Sequence, residues 1–318
     1  GDADDVTGDT VSEQSEMVYD SQGNLLQTTR YARKHTAGGT GALTTSTAQP
    51  SYTASWYDKA NRQEATAHYG TNGGSAFSRP STVPARSDTV LVTSTEYNTA
   101  GQAYKTIDPA GKESRSEFDD AGRVTKQIDN YTDGNPATGG SDEDVTVEMV
   151  YNSDGQLTTL TAKNPTTGDQ VTRYVYGTAV GGITPLIYRN DLLRAEIYPD
   201  SDDTTSLGNG ADGLYDRIEL KYTIQGEQLE RQDQLGTVHT YERDKAGRVT
   251  HDRVTTLGSG VSGTVRRVST TYEIRGLREK VTSYDNATVG SGTAINEVGF
   301  TYNDLGQPTH EYQEHEGV

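Results

Sequence analysis

An all-β fold, a repetitive strip of antiparallel β-hairpins, is what this 318-residue sequence predicts. Three observations predict it. A short unit recurs along nearly the whole chain: an aromatic residue, an acidic or polar residue, two free positions, then glycine. Upstream of the aromatic the apolar residues alternate, as in Val147/Met149/Tyr151, Ile218/Leu220/Tyr222 and Val298/Phe300/Tyr302. A longer stretch is also written twice, from Tyr97 to Val124 and from Tyr222 to Val249, with its turn signals at the same offsets. Signals locked at fixed spacing mark a repeat protein, in which each unit is one supersecondary element.

In chain order the units are Tyr19/Gly23, Tyr57 with Asn61 for glycine, Tyr97/Gly101, Phe118/Gly122 and Tyr151/Gly155. They continue at Tyr222/Gly226, Arg243 (in place of the aromatic) with Gly247, Tyr272/Gly276 and Tyr302/Gly306. Tyr188 begins an imperfect tenth, with Leu192 where glycine belongs. Alternation before the aromatic turns one strand face to a core and the other to water. Asp-x-x-Gly then suits a type I turn: the aspartate oxygen holds the backbone, and glycine takes the left-handed position of a bulged hairpin. The related signals Asp108-Pro109-Ala110-Gly111 and Asp233-Gln234-Leu235-Gly236 turn the chain at the opposite edge. Nine such hairpins imply roughly 18 main strands, joined to their neighbours and therefore antiparallel.

Between the units lie long polar insertions, at about 70–89, 130–144, 177–186, 199–216, 256–264 and 285–296. They read as extended hairpin loops, at the surface and more mobile than the strands. Residues 1–15 are acidic and polar and read as a weakly ordered N-terminal segment. Residues 16–318 read as one continuous repeat region, with no convincing helix and no dividing linker.

Tyr-Asp-x-x-Gly-Arg with interleaved Asp-Pro-x-Gly resembles the YD repeat of the RHS/teneurin/Tc-toxin family, over Tyr19 to Gln307. The resemblance implies a sheet strip that spirals, solenoid-like, into a hollow shell, able to enclose a C-terminal toxin or to serve as a rigid extracellular body. Shell-forming relatives release the toxin by self-cleavage at aspartates in a core segment with paired Asp-Pro-x-Gly motifs. Asp108 and Asp233 lie in turns inside the repeat, so that activity is not carried over to them.

Composition agrees with a thin sheet. Hydrophobic residues make up 31% of the chain and the net charge is −18, a balance that without periodicity would suggest disorder. Disorder has no reason to keep apolar residues in phase with turn glycines. Twenty tyrosines against one Trp and three Phe point to a half-buried face of tyrosine cross-strand pairs. The acidic balance argues against nucleic acid as a partner, and no apolar run approaches the length of a membrane span. With no cysteine there are no disulfides and no thiol chemistry.

Candidate sites are few. Asp200, Asp202, Asp203, Asp212 and Asp216 form the densest acidic loop and would offer oxygen ligands to Ca²⁺, but their spacing is not that of an EF-hand and the expectation is a solvated loop without metal. Gly208-Asn209-Gly210-Ala211-Asp212-Gly213 matches a dinucleotide fingerprint in letters only, without a βαβ context. His310-Glu311-Tyr312-Gln313-Glu314-His315 breaks the zinc-hydrolase order and follows a strand pattern. The expectation is a non-enzymatic structural segment, without cofactor. Its partners would be other repeats of a parent chain, copies of itself, or an enclosed toxin domain. The competing readings are a glycan-binding cell-surface adhesin and, less favoured, a carboxylate-based glycan hydrolase.

Overall fold

The computed structural model describes residues 5–199 and 201–315, and among them it contains twenty β-strands and a single 3-10 turn, Asn72–Gly74. Residues up to Glu148 together with Lys163–Thr167 form one compact unit; Met149–Ala162 with the residues from Gly168 onward form a second. Part of the expectation for residues 1–15 falls on 1–4, which lie outside the described residues; the first strand begins at Glu13. Among the described residues no helix is long and apolar enough to cross a membrane.

The first unit is a meander of β1 Glu13–Tyr19, β2 Leu25–Arg33, β3 Ala48–Tyr57, β4 Gln63–Gly70, β5 Leu91–Tyr97, β6 Ala103–Ile107, β7 Glu113–Phe118, β8 Val124–Asp129 and the start of β9 Val145–Tyr151. Each strand pairs antiparallel with the next. The second unit continues from the end of β9 with β10 Leu157–Ala162, β11 Gln170–Tyr176, β12 Leu193–Ile197, β13 Arg217–Tyr222, β14 Gln228–Gln232 and β15 Val238–Arg243. It ends with β16 Val249–Thr256, β17 Arg267–Tyr272, β18 Arg278–Tyr284, β19 Ala294–Tyr302 and β20 Pro308–His315. From β10 onward, consecutive strands are again antiparallel neighbours.

Twenty strands rather than roughly 18 result from a hairpin that the repeat unit does not announce. Tyr176, not Tyr188, is its aromatic: Gly177 N–H donates to the Leu192 carbonyl (3.0 Å), and residues 177–192 form the loop. Tyr188 stands exposed within that loop. In place of a turn aspartate, the Thr178 hydroxyl accepts the Arg189 N–H (3.1 Å) and donates to the Ile187 carbonyl.

Most strand residues are half-buried, as a single sheet dictates, and most of the buried apolar residues among those described gather in two patches. Both lie where an insertion folds back over the sheet. In the first unit Ala54, Trp56, Ala65, Ala67 and Val92 are covered by Phe77 from the 71–90 loop, which stacks on Tyr52 with ring centroids 4.9 Å apart. The alanines make room for the larger rings, and the Trp56 indole donates to the Pro80 carbonyl (3.2 Å). In the second, Val175, Ala195 and Ile197 are covered by Val180 and Leu207, each from a different loop. The insertions are thus lids that complete a core, because an apolar sheet face left in water loses about 25 cal/mol per Å² of burial.

The 130–144 loop is held by one carboxylate. Asp144 is fully buried and accepts N–H bonds from Thr132 (2.9 Å), Asp133 (3.3 Å) and Gly134 (2.9 Å), together with the Thr132 hydroxyl. Burial alone would raise its pKa; those four donors outweigh burial and bring it down to about 2. A folded-state pKa below the unfolded value contributes stability that is present above the ordinary carboxylate range and lost as pH falls through about 2. The protection of the Thr132 and Gly134 amides from hydrogen exchange, relative to the unfolded chain at the same pH, is therefore expected to fall in the parent between pH 4 and pH 2. In Asp144→Asn they should already exchange fast at pH 7. Equal protection in both proteins at pH 7 would show that this carboxylate does not hold the loop.

Candidate functional site

The residues that the repeat singles out come together as one recurring device, a hairpin turn fastened to the turn before it. Among the described residues, eleven turns between consecutive strands share two backbone bonds, and Thr204–Gly208 repeats them inside a loop: the first residue donates its N–H to the carbonyl of the fifth, and the fourth donates back to the first. The first residues are Asp20, Asp58, Asn98, Asp108, Asp119, Asn152, Thr223, Asp233, Asp244, Glu273 and Asn303. The fourth is in the left-handed region in every case, from Gly23 at φ +87° through Gly122 at +84° to Gly306 at +78°, with Asn61 at +61°. Gly101, Gly111, Gly155, Gly226, Gly236, Gly247 and Gly276 hold the same place. Successive turns alternate between the two sheet edges, so that at Asp108–Gly111 lies opposite those at Asn98 and Asp119, and Asp233–Gly236 opposite those at Thr223 and Asp244.

The side chain of the first residue does two jobs. In Asp244, Oδ1 accepts the N–H groups of Ala246 (2.9 Å) and Arg248 (3.0 Å), while Oδ2 accepts the Arg248 guanidinium (2.7 Å). Asp58 with Arg62 and Asp119 with Arg123 repeat the pattern. Hydrogen bonds from the guanidinium hold Asp119 and Asp244 below the usual carboxylate range, and the Arg62 N–H does the same for Asp58. Where the first residue is asparagine the polarity inverts: the Nδ2 groups of Asn98, Asn152 and Asn303 donate to Gln102, Gln156 and Gln307 (2.8, 2.7 and 2.8 Å). Asp20 with Asn24 keeps the aspartate form (2.8 Å). An acceptor faces a donor in each pair.

The aromatic links one hairpin to the next. The Tyr57 hydroxyl donates to the Leu25 carbonyl (3.1 Å), Tyr97 to Gln63 (2.9 Å), Tyr272 to Val249 (2.8 Å) and Tyr302 to Arg278 (2.8 Å). Tyr222 donates in the same way to Leu193. Each acceptor is the first residue of the preceding hairpin's returning strand. The turn arginine completes the lock by lying over the next tyrosine ring: Arg62 over Tyr97 at 4.4 Å, Arg248 over Tyr272 at 4.3 Å. Arg243, which stands where an aromatic belongs, reaches the equivalent Gln228 carbonyl with its guanidinium (2.9 Å). Phe118 has no hydroxyl, and there Gln102 Nε2 donates to the Gly122 carbonyl instead (3.2 Å). Tyr151 closes β9, and the Tyr19 hydroxyl lies against its own Met17 sulfur (3.3 Å).

A side chain at Gly122 would meet both backbone strain and the previous turn: its Cβ would sit 3.2 Å from Gln102 Nε2. Gly122→Val is expected to cost about 1–2 kcal/mol, since a branched side chain clashes with the left-handed conformation. A thermal melt equal to the parent's would contradict this account of the turn.

The acidic loop is spent on structure. The Asp203 carboxylate, fully buried, accepts from Arg217 Nη1 (2.6 Å) and from the Asp216 N–H (3.0 Å). Asp202 accepts the N–H groups of Ala211 (2.5 Å) and Asp212 (3.2 Å). Asp200 lies outside the described residues, and among the described residues no three His, Asp or Glu side chains gather as a metal site. The glycines of 208–213 sit in the same loop, where Asn209 accepts from Arg217 (3.0 Å) and donates to the Gly213 carbonyl (3.3 Å). His310 is on β20, stacked on Tyr312 with centroids 5.6 Å apart and bonded to the Thr301 hydroxyl (3.2 Å).

Arginines that fasten loops to the sheet, two of them at strand ends, are what the sequence does not advertise. Arg217 opens β13, with its side chain 5% exposed, and bonds Asp203, Glu219 and the Leu207 carbonyl. Arg267 opens β17 over the Tyr284 ring at 4.0 Å and donates to the carbonyls of Asn286 (2.9 Å) and Ser291 (3.1 Å). Arg79 lies over Trp56 at 4.9 Å and donates to the Ser55 carbonyl (2.7 Å). Each fastens a loop to the sheet. The one available signal is an arginine at the junction of an apolar strand and a long polar insertion.

No protein-family model and no curated protein sequence matches the chain. Solved structures do. A Tc holotoxin pore structure of Photorhabdus luminescens matches 94% of the chain with a TM-score of 0.57 at 13% identity. The structure of TcdB2-TccC3 without its hypervariable C-terminal region matches 94% with a TM-score of 0.58, also at 13% identity. The chain spans 14% of the length of either one. At that identity the likeness is one of fold: the hairpin strip is an architecture shared with Tc-toxin chains, among the proteins that its Tyr-Asp-x-x-Gly-Arg motif resembles.

Proposed function

We propose that this chain is a non-enzymatic structural segment of a longer RHS/YD-repeat protein, acting outside the cell as part of a β-shell or rod that encloses or displays another part of its parent. One observation carries the reading. The polar side chains of the motif are used on the strip itself: aspartate on its own turn, arginine on the next tyrosine, tyrosine on the preceding strand. Such a motif builds a wall by nearest-neighbour locks, which is how repeat architectures gain stability. The fold shared with Tc-toxin chains supports the same role and an extracellular setting.

Electron cryo-microscopy of the full parent protein tests it. The expected result is this segment running as continuous sheet into flanking repeats, in the wall of a cavity or the shaft of a rod. A separate module on flexible tethers would overturn the proposal. Glycan-array binding that disappears when loop tyrosines are replaced would favour the adhesin reading instead.

A further inference from the structure

Beside the 177–192 loop the second unit holds a cavity of about 70 Å³. Its wall combines Ile183, Leu186 and Ile187 of that loop with Leu220 of β13 and Leu229 of β14. Ile183 and Leu186 are also 39% and 61% exposed, so only side chains separate the cavity from solvent there. One buried polar atom interrupts the apolar wall. Arg194, its side chain 3% exposed, lines the cavity and donates from Nη1 to the Leu220 carbonyl (2.9 Å) and from Nη2 to Glu219 (2.6 Å). Its Nε is buried without a hydrogen-bond partner. The other polar side chains of the wall are engaged or exposed: Thr178 with Ile187 and Arg189, Tyr222 with the Leu193 carbonyl, Lys221 with Glu230, and Thr184 facing solvent. A buried N–H without an acceptor is costly, and each one calls for an explanation.

We propose that this cavity binds a small neutral aliphatic molecule with one carbonyl oxygen, which accepts the Arg194 Nε–H while its alkyl arms lie against Leu220 and Leu229. The wall sets the class. Its apolar side chains disfavour a strongly hydrated ligand. The guanidinium is already answered by Glu219, within a cluster whose formal charges balance, so an anion would bring an unpaired charge into a dry site. A water molecule wants two to four polar partners, and the buried side chains of the wall offer one. An apolar cavity of about 150 Å³ is enough for benzene, so half that volume leaves room for about three or four non-hydrogen atoms. Bound there, the molecule ties the 183–187 stretch of the loop to β12. Such a site goes beyond the structural role above and stands whether or not the strip encloses anything.

An arginine Nε–H gives its own nuclear magnetic resonance signal, so acetone titrated into the isotope-labelled whole chain tests the site. The Arg194 Nε–H signal is expected to move to lower field and to saturate, with a midpoint of roughly millimolar concentration, because so few atoms bind weakly. Xenon, which has no acceptor, should shift the methyl signals of Leu220 and Leu229 and move the Nε–H signal far less. Leu220→Phe, which fills the cavity, should abolish both responses. Arg194→Lys keeps the charge and lacks the Nε–H; it should weaken acetone about tenfold, read from the methyl signals, and still admit xenon. Circular dichroism identical to the parent's keeps these effects at the cavity, and if Arg194→Lys does not fold, Leu220→Phe decides alone. An Nε–H signal indifferent to acetone, including one that exchanges magnetisation only with water, would overturn the proposal. So would an acetone response that Leu220→Phe leaves unchanged.

Discussion

Asp203→Ala is expected to destabilise the second unit by about 3–5 kcal/mol, because it strands a buried guanidinium. Asp203 and Glu219 face Arg194 and Arg217 in a cluster whose formal charges balance, with side-chain exposures of 0%, 15%, 3% and 5%. Removing one carboxylate leaves net positive charge in a site that water does not reach. It also takes one acceptor from the Asp216 N–H and loosens the hold on Leu207, which covers Val175 and Ile197. The neighbouring Tyr215 phenol, beneath the Arg217 guanidinium at 4.3 Å, is already pushed to high pKa by burial. Adding Arg217→Met to Asp203→Ala should recover part of the loss, since an apolar side chain of similar length needs no counter-ion. Denaturant melts of the two single variants and the double variant make the measurement. A loss below about 1 kcal/mol for Asp203→Ala would mean that the cluster is hydrated and the loop held by something else.

Trp56→Ala is expected to cost about 3–5 kcal/mol in the first unit. Its neighbours Ala54, Ala65 and Ala67 cannot grow into the space, so a cavity stays behind. The Pro80 carbonyl loses its donor, and Arg79 loses the ring beneath it. The lid should therefore fail before the sheet does. Limited proteolysis of the variant is expected to cut first within residues 71–90, while the β spectrum persists. A loop as resistant as the parent's, with the melting temperature unchanged, would show that Phe77 alone suffices to hold it.

Strands and turns were legible in the sequence because their causes are local. An aspartate or asparagine, two residues and a glycine close a hairpin within five positions, whatever lies elsewhere. Alternation before Tyr151, Tyr222 and Tyr302 likewise needs only the neighbouring strand. The hairpin of β11 and β12 was not legible, since Tyr176 is followed by a loop that reaches to Leu192, and its turn function falls to Thr178. From their polar composition alone the insertions read as surface loops, with no sign that they cover a core. What pins them is a handful of residues, Phe77, Asp144 and Leu207 among them, whose partners are distant in sequence or hidden in polar runs. The arginine fasteners were missed for a related reason. A charged residue reads as solvated, and only its carbonyl and carboxylate partners across the fold make burial tolerable at Arg217 and Arg267. Within the junctions the tyrosines could be picked out, but their acceptors could not, because a backbone carbonyl leaves no letter.

The matched pair at the first and fifth turn positions has a consequence for how such a strip can vary. What seven of the turns hold in common is a relation, acceptor facing donor, and the alphabet offers several spellings of it: Asp with Arg, Asp with Asn, Asn with Gln. A change that still leaves an acceptor facing a donor is tolerated, as between Asp with Arg and Asp with Asn, whereas two carboxylates or two guanidinium groups facing each other are not. Drift along the strip is therefore expected to stay within complementary pairs, so that two copies of the unit can differ at one or both positions and still be the same turn. Searching for the repeat by fixed letters discards spellings that the fold treats as synonyms; searching for the polarity of the pair retains them.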